Sequence, residues 1–363
     1  MTEQPVPRVF AVPGQPSADA GTAPGDAPLP TPAGPPTPAR ITEAAAGFML
    51  SKLLFVATEV DLFAAIPPEG ATPQTIAERC RLPERSAATL PYLLAAAGLL
   101  ERDGDRYRNA PDTEAFLSGR GPLDLRPILR YWDTVSYASW SRAGTAFRTR
   151  QPVRGELTRE QTEAYESAVA AVTTETAVDL ARAYDFGRHR RLLDVGGGIG
   201  TFARPILRGH PQLTGTLLEL PEVASIVGPD VSSGEFAERL DVRGADVFTD
   251  RLPDGHDAIV VANFLHLFPP ERNLTLLTRL REVAPPDGRL LLVDWWRDGP
   301  TPHPSARFAA GEFLMISGGD TYRPDEVADW LTATGWRFVG HQPLSPPAGL
   351  IVAEPADRAS PEG

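Results

Sequence analysis

Four acids and one histidine in the second half of the chain have the types and spacing to do chemistry together: Asp194, Glu219, Asp246, His266 and Asp294. The run from Arg191 to Phe202, RLLDVGGGIGTF, begins apolar, passes through glycines and opens into a helical pattern. That order is the mark of a strand-to-helix turn, where bare backbone can approach a ligand closely. The dinucleotide fingerprint G-x-G-x-x-G fails at Thr201, and the phosphate loop fails because no lysine follows. What stands is Asp194-x-Gly196-x-Gly198-x-Gly200, an acid followed by alternating glycines. Glu219 ends the next apolar run, where a carboxylate can accept from both hydroxyls of a ribose. Asp246, in GADVF, stands at the carboxyl end of a third run, and His266, in ANFLHLF, directly follows a fourth. An imidazole's ordinary pKa lies near neutrality, which suits His266 to removing a proton. No spacing among His266, His303 and the nearby acids is diagnostic of a metal site, and none is expected.

These residues need a sheet to bring them together. Strands are expected at 192–195, 215–220, 240–247, 258–262, 289–294, 336–340 and 350–353, with helices at 202–208, 221–227, 270–284 and 324–334 between most of them. Such alternation predicts a parallel sheet covered on both faces.

Ahead of this lies a different pattern. Residues 1–39 carry eleven prolines among Ala, Gly, Ser and Thr and are expected to be a disordered tail. A long helix is expected over 41–66, stopped by Pro67-Pro68, with more than one apolar face and hence a partner within the domain or across a dimer. Helices from Pro73 and from Glu84 to Ala97, then a turn at Asp103-Gly104-Asp105, give the order of a winged helix. A ligand-sensing DNA-binding regulator is the rival reading. Charge opposes it: 41–118 holds eleven acids against seven bases, and the second helix offers only Arg85, whereas phosphate contacts dominate DNA affinity. Residues 123–186 read as helical, with the aromatic group Tyr131, Trp132, Tyr137, Trp140 and Phe147 able to form core or to wall a pocket for a flat acceptor.

A formal charge of −12 argues against nucleic-acid and anionic-membrane partners. The single cysteine, Cys80, rules out an internal disulfide and fits a reducing compartment. With no secretory leader and no run of eighteen apolar residues, a cytoplasmic protein is expected.

The D-x-G-x-G-x-G form resembles motif I of class I S-adenosylmethionine (SAM) methyltransferases. With the segments that follow, residues 41–354 resemble the SAM-dependent small-molecule O-methyltransferases of the plant caffeic-acid and bacterial natural-product type. The resemblance implies an α/β fold: a Rossmann-like methyltransferase sheet ending in a reversed hairpin, behind a helical, winged-helix-like domain for dimerisation and substrate enclosure. It implies four segments: a tail at 1–39, the dimerisation and lid domain at 40–186, the SAM domain at 187–356 and a tail at 357–363. It also implies that Gly196 and Gly198 lie against the methionine moiety of SAM, that Asp246 accepts from the adenine amine and that Val247 packs on its ring. His266 would then be the general base and Asp294 its orienting acid. Trp140, Trp295, Phe313 and Met315 are candidates for the acceptor pocket, as are Trp296 and Phe308.

The chain departs from the family pattern at Leu267 and Phe268, where Asp and Trp are usual, and at Thr321, where an acid is usual. The expectation is a homodimeric enzyme that methylates a hydroxyl of a small aromatic or polyketide-like acceptor in bacterial secondary metabolism. A same-fold enzyme doing C- or N-methylation, or a non-methylating reaction, is the alternative.

Overall fold

The computed structural model describes residues 38–121, 123–297 and 304–356, with the backbone alone for Arg40 and residues 304–308. The expected tails, apart from Pro38 and Ala39, lie outside the described residues, as does His303. The described chain forms two compact units, one of 38–137 with 167–171 and one of 138–166 with 172–356. The sheet-bearing unit thus takes in residues that the sequence reading had grouped with the helical part.

In the first unit the helix expected over 41–66 is broken. It runs Ala39–Glu59, and a short Leu62–Ala65 helix follows. Between them Asp61 is left-handed at φ 53°, a region that Asp tolerates better than most side chains. The break turns Leu62, Phe63 and Ile66 into a core shared with Ile76, Leu90 and Leu94. Thr72 then caps the Pro73–Cys80 helix, its hydroxyl accepting from the Thr75 N–H at 3.3 Å. The Glu84–Ala96 helix follows, and strands β1 (Leu100–Asp103) and β2 (Arg106–Asn109) close an antiparallel hairpin. By length and composition Ile41–Glu59 could cross a membrane, with mean hydropathy 1.4 over its window, although Ser51 and Lys52 interrupt its apolar residues. Most of it is exposed, including Phe48, Met49 and Leu50.

The second unit holds seven strands: β3 (Arg191–Val195), β4 (Thr214–Glu219), β5 (Leu240–Gly244), β6 (Ala258–Ala262), β7 (Arg289–Trp295), β8 (Trp336–Pro343) and β9 (Ala348–Pro355). Their order is β5-β4-β3-β6-β7-β9-β8, parallel up to β7, with β9 antiparallel to both its neighbours. All five residues of β6, Ala-Ile-Val-Val-Ala, are buried, as a central strand covered on both faces requires. Alternation divides them. Ile259 and Val261 join one cluster with Leu193, Leu277 and Leu331, while Val260 joins another with Leu192, Leu180 and Ile206. Proline at the first helical position opens the helices Pro221–Ser233, Pro270–Val283 and Pro324–Ala333.

Several elements differ from expectation, among them the helix from Pro221, which runs on to Ser233 past the expected end at 227. Strand β5 stops at Gly244, because beyond it the Asp250 and Asp246 carboxylates take the N–H groups of Asp246 and Phe248 and form a turn. The stretch 150–158 is irregular, and Trp132–Ser136 is a π-helical turn inside a run expected to be helical throughout. A helix at Pro304–Ser317 was not expected, its aromatic residues having been read as pocket lining.

Leu193 is fully buried in β3. Leu193→Ala should lower unfolding free energy by about 2–5 kcal/mol. Urea denaturation is the check, and a change below about 1 kcal/mol would contradict this account of the core.

Candidate active site

Strand order reverses between β3 and β6, so connections leave to opposite sides and a crevice opens at the carboxyl ends of those strands. The predicted residues gather at that edge. Gly196 follows β3, Glu219 ends β4, Asp246 and Val247 follow β5, His266 follows β6, and Asp294 lies near the end of β7.

The glycine turn is built from backbone donors and carboxylate acceptors. Gly196 N–H donates to the Leu218 carbonyl at 2.8 Å, and Gly198 N–H to Glu219 Oε1 at 2.7 Å. Behind the turn Asp194 Oδ2 accepts from the Ala203 N–H at 3.2 Å, tying the turn to the start of the Ala203–Gly209 helix. Both glycines need their freedom. Gly196 has φ +66° and a Cβ there would meet Phe264 at 2.4 Å; Gly198 has φ +53° and a Cβ would meet Glu166 Oε2 at 2.5 Å. Burial pushes the Asp194 carboxyl up to about 7, with Glu219 adding repulsion and the Ala203 N–H opposing. Burial also raises Glu219, although the N–H groups of Gly198 and Leu220 stabilise its charge. A glycine turn of backbone donors with a carboxylate at the tip of β4 fits the ribose and methionine portions of SAM.

Asp246 is half-buried and its Oδ1 accepts from the Phe248 N–H at 2.8 Å. Val247 is buried in the core, whereas its neighbour Phe248 is half-exposed with the Arg272 guanidinium 3.8 Å above its ring.

His266 and Asp294 form a buried pair, with Nδ1 2.6 Å from Asp294 Oδ1 and the His266 N–H donating to Oδ2 at 3.2 Å. A carboxylate at Nδ1 selects the tautomer with its proton there and leaves Nε2 as the basic nitrogen. Phe313 stacks on the imidazole at 3.7 Å between centroids and 10° between planes, and Trp295 lies 6.2 Å from Phe313. These three rings and Asp294 are therefore together. Trp140 stands near the same helix, its indole N–H donating to Glu312 Oε2 at 2.6 Å. Met315 is fully buried among Ala146, Val153 and Leu314, and it backs the wall rather than offering surface. Trp296 is buried too, donating to the Gly349 carbonyl. The side chain of Phe308 lies outside the described residues.

At the departures, Thr321 is fully buried with its hydroxyl unpaired. Asp320 does not substitute: Arg150 at 2.6 Å and Arg297 at 3.5 Å hold it, and it accepts the Thr321 N–H. Of the aromatic group, Tyr131 is buried within its own unit, and Phe147 is largely exposed in the other. Sequence reasoning missed Glu166, because one glutamate in a helix rich in polar residues carries no signal of its own.

This sheet order and this crevice define the class I SAM methyltransferases. The family described as O-methyltransferase domain matches residues 153–337, and the O-methyltransferase dimerisation domain matches residues 42–119. The 3-hydroxy-5-methyl-1-naphthoate 3-O-methyltransferase of Streptomyces sahachiroi is 30% identical over 317 residues, covering 84% of this chain and 91% of its own. The tetracenomycin polyketide synthesis 8-O-methyl transferase of Streptomyces glaucescens is 28% identical, covering 87% and 96%. The solved structure of PigF with S-adenosylhomocysteine (SAH) superposes with a TM-score of 0.81 at 26% identity, covering 88% of this chain and 99% of that one. The chain belongs to the SAM-dependent O-methyltransferase family, and SAM is its cofactor.

Gly196→Ala should cost about 1–3 kcal/mol in urea denaturation, from the left-handed backbone and the clash with Phe264. Binding of SAH by calorimetry should weaken with it, and an unperturbed variant would show the turn to be less constrained than its geometry implies.

Proposed function

We propose that this protein transfers the methyl group of SAM to a hydroxyl of a small aromatic or polyketide-like acceptor, with His266 as general base and Asp294 orienting it. The observation that carries this is the 2.6 Å contact between His266 Nδ1 and Asp294 Oδ1, which leaves Nε2 basic at the crevice edge. Bound SAM supplies a methyl group already activated on a sulfonium. Nε2 takes the acceptor's hydroxyl proton, Asp294 stabilises the imidazolium that results, and Phe313 holds the plane of the ring. Trp295, Phe313 and Trp140 give the aromatic surface that a flat acceptor needs. The Streptomyces relatives, which by name act on a naphthoate and in polyketide synthesis, support an acceptor of that kind and a place in bacterial secondary metabolism.

The protein works as a cytoplasmic homodimer in this reading. Its support is the dimerisation-domain match together with Ile41, Phe48, Met49 and Leu50, large apolar side chains exposed on one helix.

Incubation with SAM and a panel of hydroxylated naphthoates and polyketide aromatics should release SAH along with an O-methylated product, identified by mass spectrometry. His266→Ala should lower kcat by about 10²-fold or more while SAH binds as before; near-normal turnover would leave proximity alone as the source of rate. Phe48→Asp combined with Met49→Asp should yield a monomer by light scattering, and a persistent dimer would place the interface elsewhere.

A further inference from the structure

Glu166 is an acid beside the glycine turn to which the chemistry above gives no task. It lies in the capped Arg159–Ala183 helix, half-buried, with Oε2 in the space that a side chain on Gly198 would fill, 2.5 Å from that Cβ position. At the same glycine, Glu219 Oε1 accepts from the backbone N–H at 2.7 Å. The two carboxylates therefore face one glycine. What acts on Glu166 is burial and then repulsion from Glu219, which together raise it to about 8; no hydrogen bond lowers it. A buried carboxylate facing another is costly unless a cation or a donor joins them.

We propose that Glu166 is a cofactor-binding residue, its carboxylate accepting hydrogen bonds from the α-ammonium of SAM. This rests on the reading of the glycine turn as the SAM site and assigns it one more residue. The donors of SAM are the adenine amine, the ribose hydroxyls and the α-ammonium. Glu219, at the tip of β4, is the acid suited to the ribose hydroxyls, and Asp246 lies past the end of β5. Against the glycines the methionine portion remains, and its ammonium is the one donor that also carries a positive charge to offset two carboxylates.

Calorimetric titration with two probes tests the assignment. SAH carries the ammonium, whereas 5′-methylthioadenosine keeps the adenosine and thioether but lacks the aminocarboxypropyl arm. Glu166→Gln should weaken SAH about 10–100-fold and leave 5′-methylthioadenosine within about threefold. Unchanged SAH affinity would overturn the proposal, and so would an equal loss for both probes, which would mean that Glu166 serves the ribose or the turn. Thermal unfolding of ligand-free Glu166→Gln should match or exceed that of the parent, because a repulsion is removed. Should that variant fold poorly, Glu166→Asp, which keeps the charge and shortens its reach, should weaken SAH selectively; equal affinity for both probes relative to the parent would again count against the ammonium. Binding of SAH by the parent protein tests the cofactor site itself, so failure there is distinguishable from failure of Glu166.

Discussion

The structure depends on how the turn after β3 keeps its backbone donors satisfied without side chains. Gly196 and Gly198 present bare backbone in left-handed conformations, and such a segment holds its shape only if its N–H groups have fixed partners. The Leu218 carbonyl, the Glu219 carboxylate and, behind the turn, the Asp194 carboxylate supply those partners or anchor the helix that follows. The acids that shape the turn are thus the ones that give it negative character. With Glu166 also against Gly198, three carboxyls crowd a single loop, and Glu219 raises the other two. Each acid raised above its ordinary value binds its proton more tightly folded than unfolded. Its contribution to stability is full below the ordinary carboxylate pKa and is lost as pH rises through about 7 for Asp194 and about 8 for Glu166.

The sheet converts this local arrangement into a site of two halves. Because β3 and β6 are parallel neighbours and their connections leave to opposite sides, the glycine turn and the His266 segment emerge side by side. Parallel pairing of β6 with β7 then sets Ala262 opposite Val293, and the Asn263 N–H donates to the Val293 carbonyl at 2.8 Å. That register places Asp294 where it can take both the backbone N–H and the imidazole N–H of His266. A carboxylate holding both ends of one residue fixes its ring more firmly than a side-chain contact alone could. The same strand β7 pairs with β9 in antiparallel fashion, so the β8–β9 hairpin braces the strand that carries Asp294.

Much of this was legible from residue order. The β6 strand has the bounds that its pattern predicts, and the acids and histidine stand at the strand ends to which apolar runs and glycines assign them. Less legible were features decided by side chains that reach across the chain. The end of β5 depends on Asp246 and Asp250 capturing backbone donors, which competes with a strand that the apolar pattern alone would extend. The break at Asp61 carries no glycine or proline, and only the burial gained by Leu62, Phe63 and Ile66 accounts for it. Met315 was a pocket candidate by type, whereas packing buries it fully among Ala146, Val153 and Leu314. Glu166 was invisible for a related reason: twenty-eight positions separate it from Asp194, and only folding brings it to the turn.

The departures at Leu267 and Thr321 then take on a definite meaning. An acid at 267 would add charge next to a histidine that Asp294 already holds through two contacts, and an acid at 321 would be fully buried. Burying another carboxylate there would carry a desolvation cost that a hydroxyl largely avoids. Asp320 stays out of the pair because Arg150 and Arg297 draw it away, which keeps a nearby charge neutralised and the imidazole tied to a single acid. A base oriented by one carboxylate still has a fixed tautomer and a free Nε2. The direction in which Nε2 points is set by Asp294 at Nδ1 and by Phe313 stacked on the ring face, and neither depends on an acid at 267 or 321.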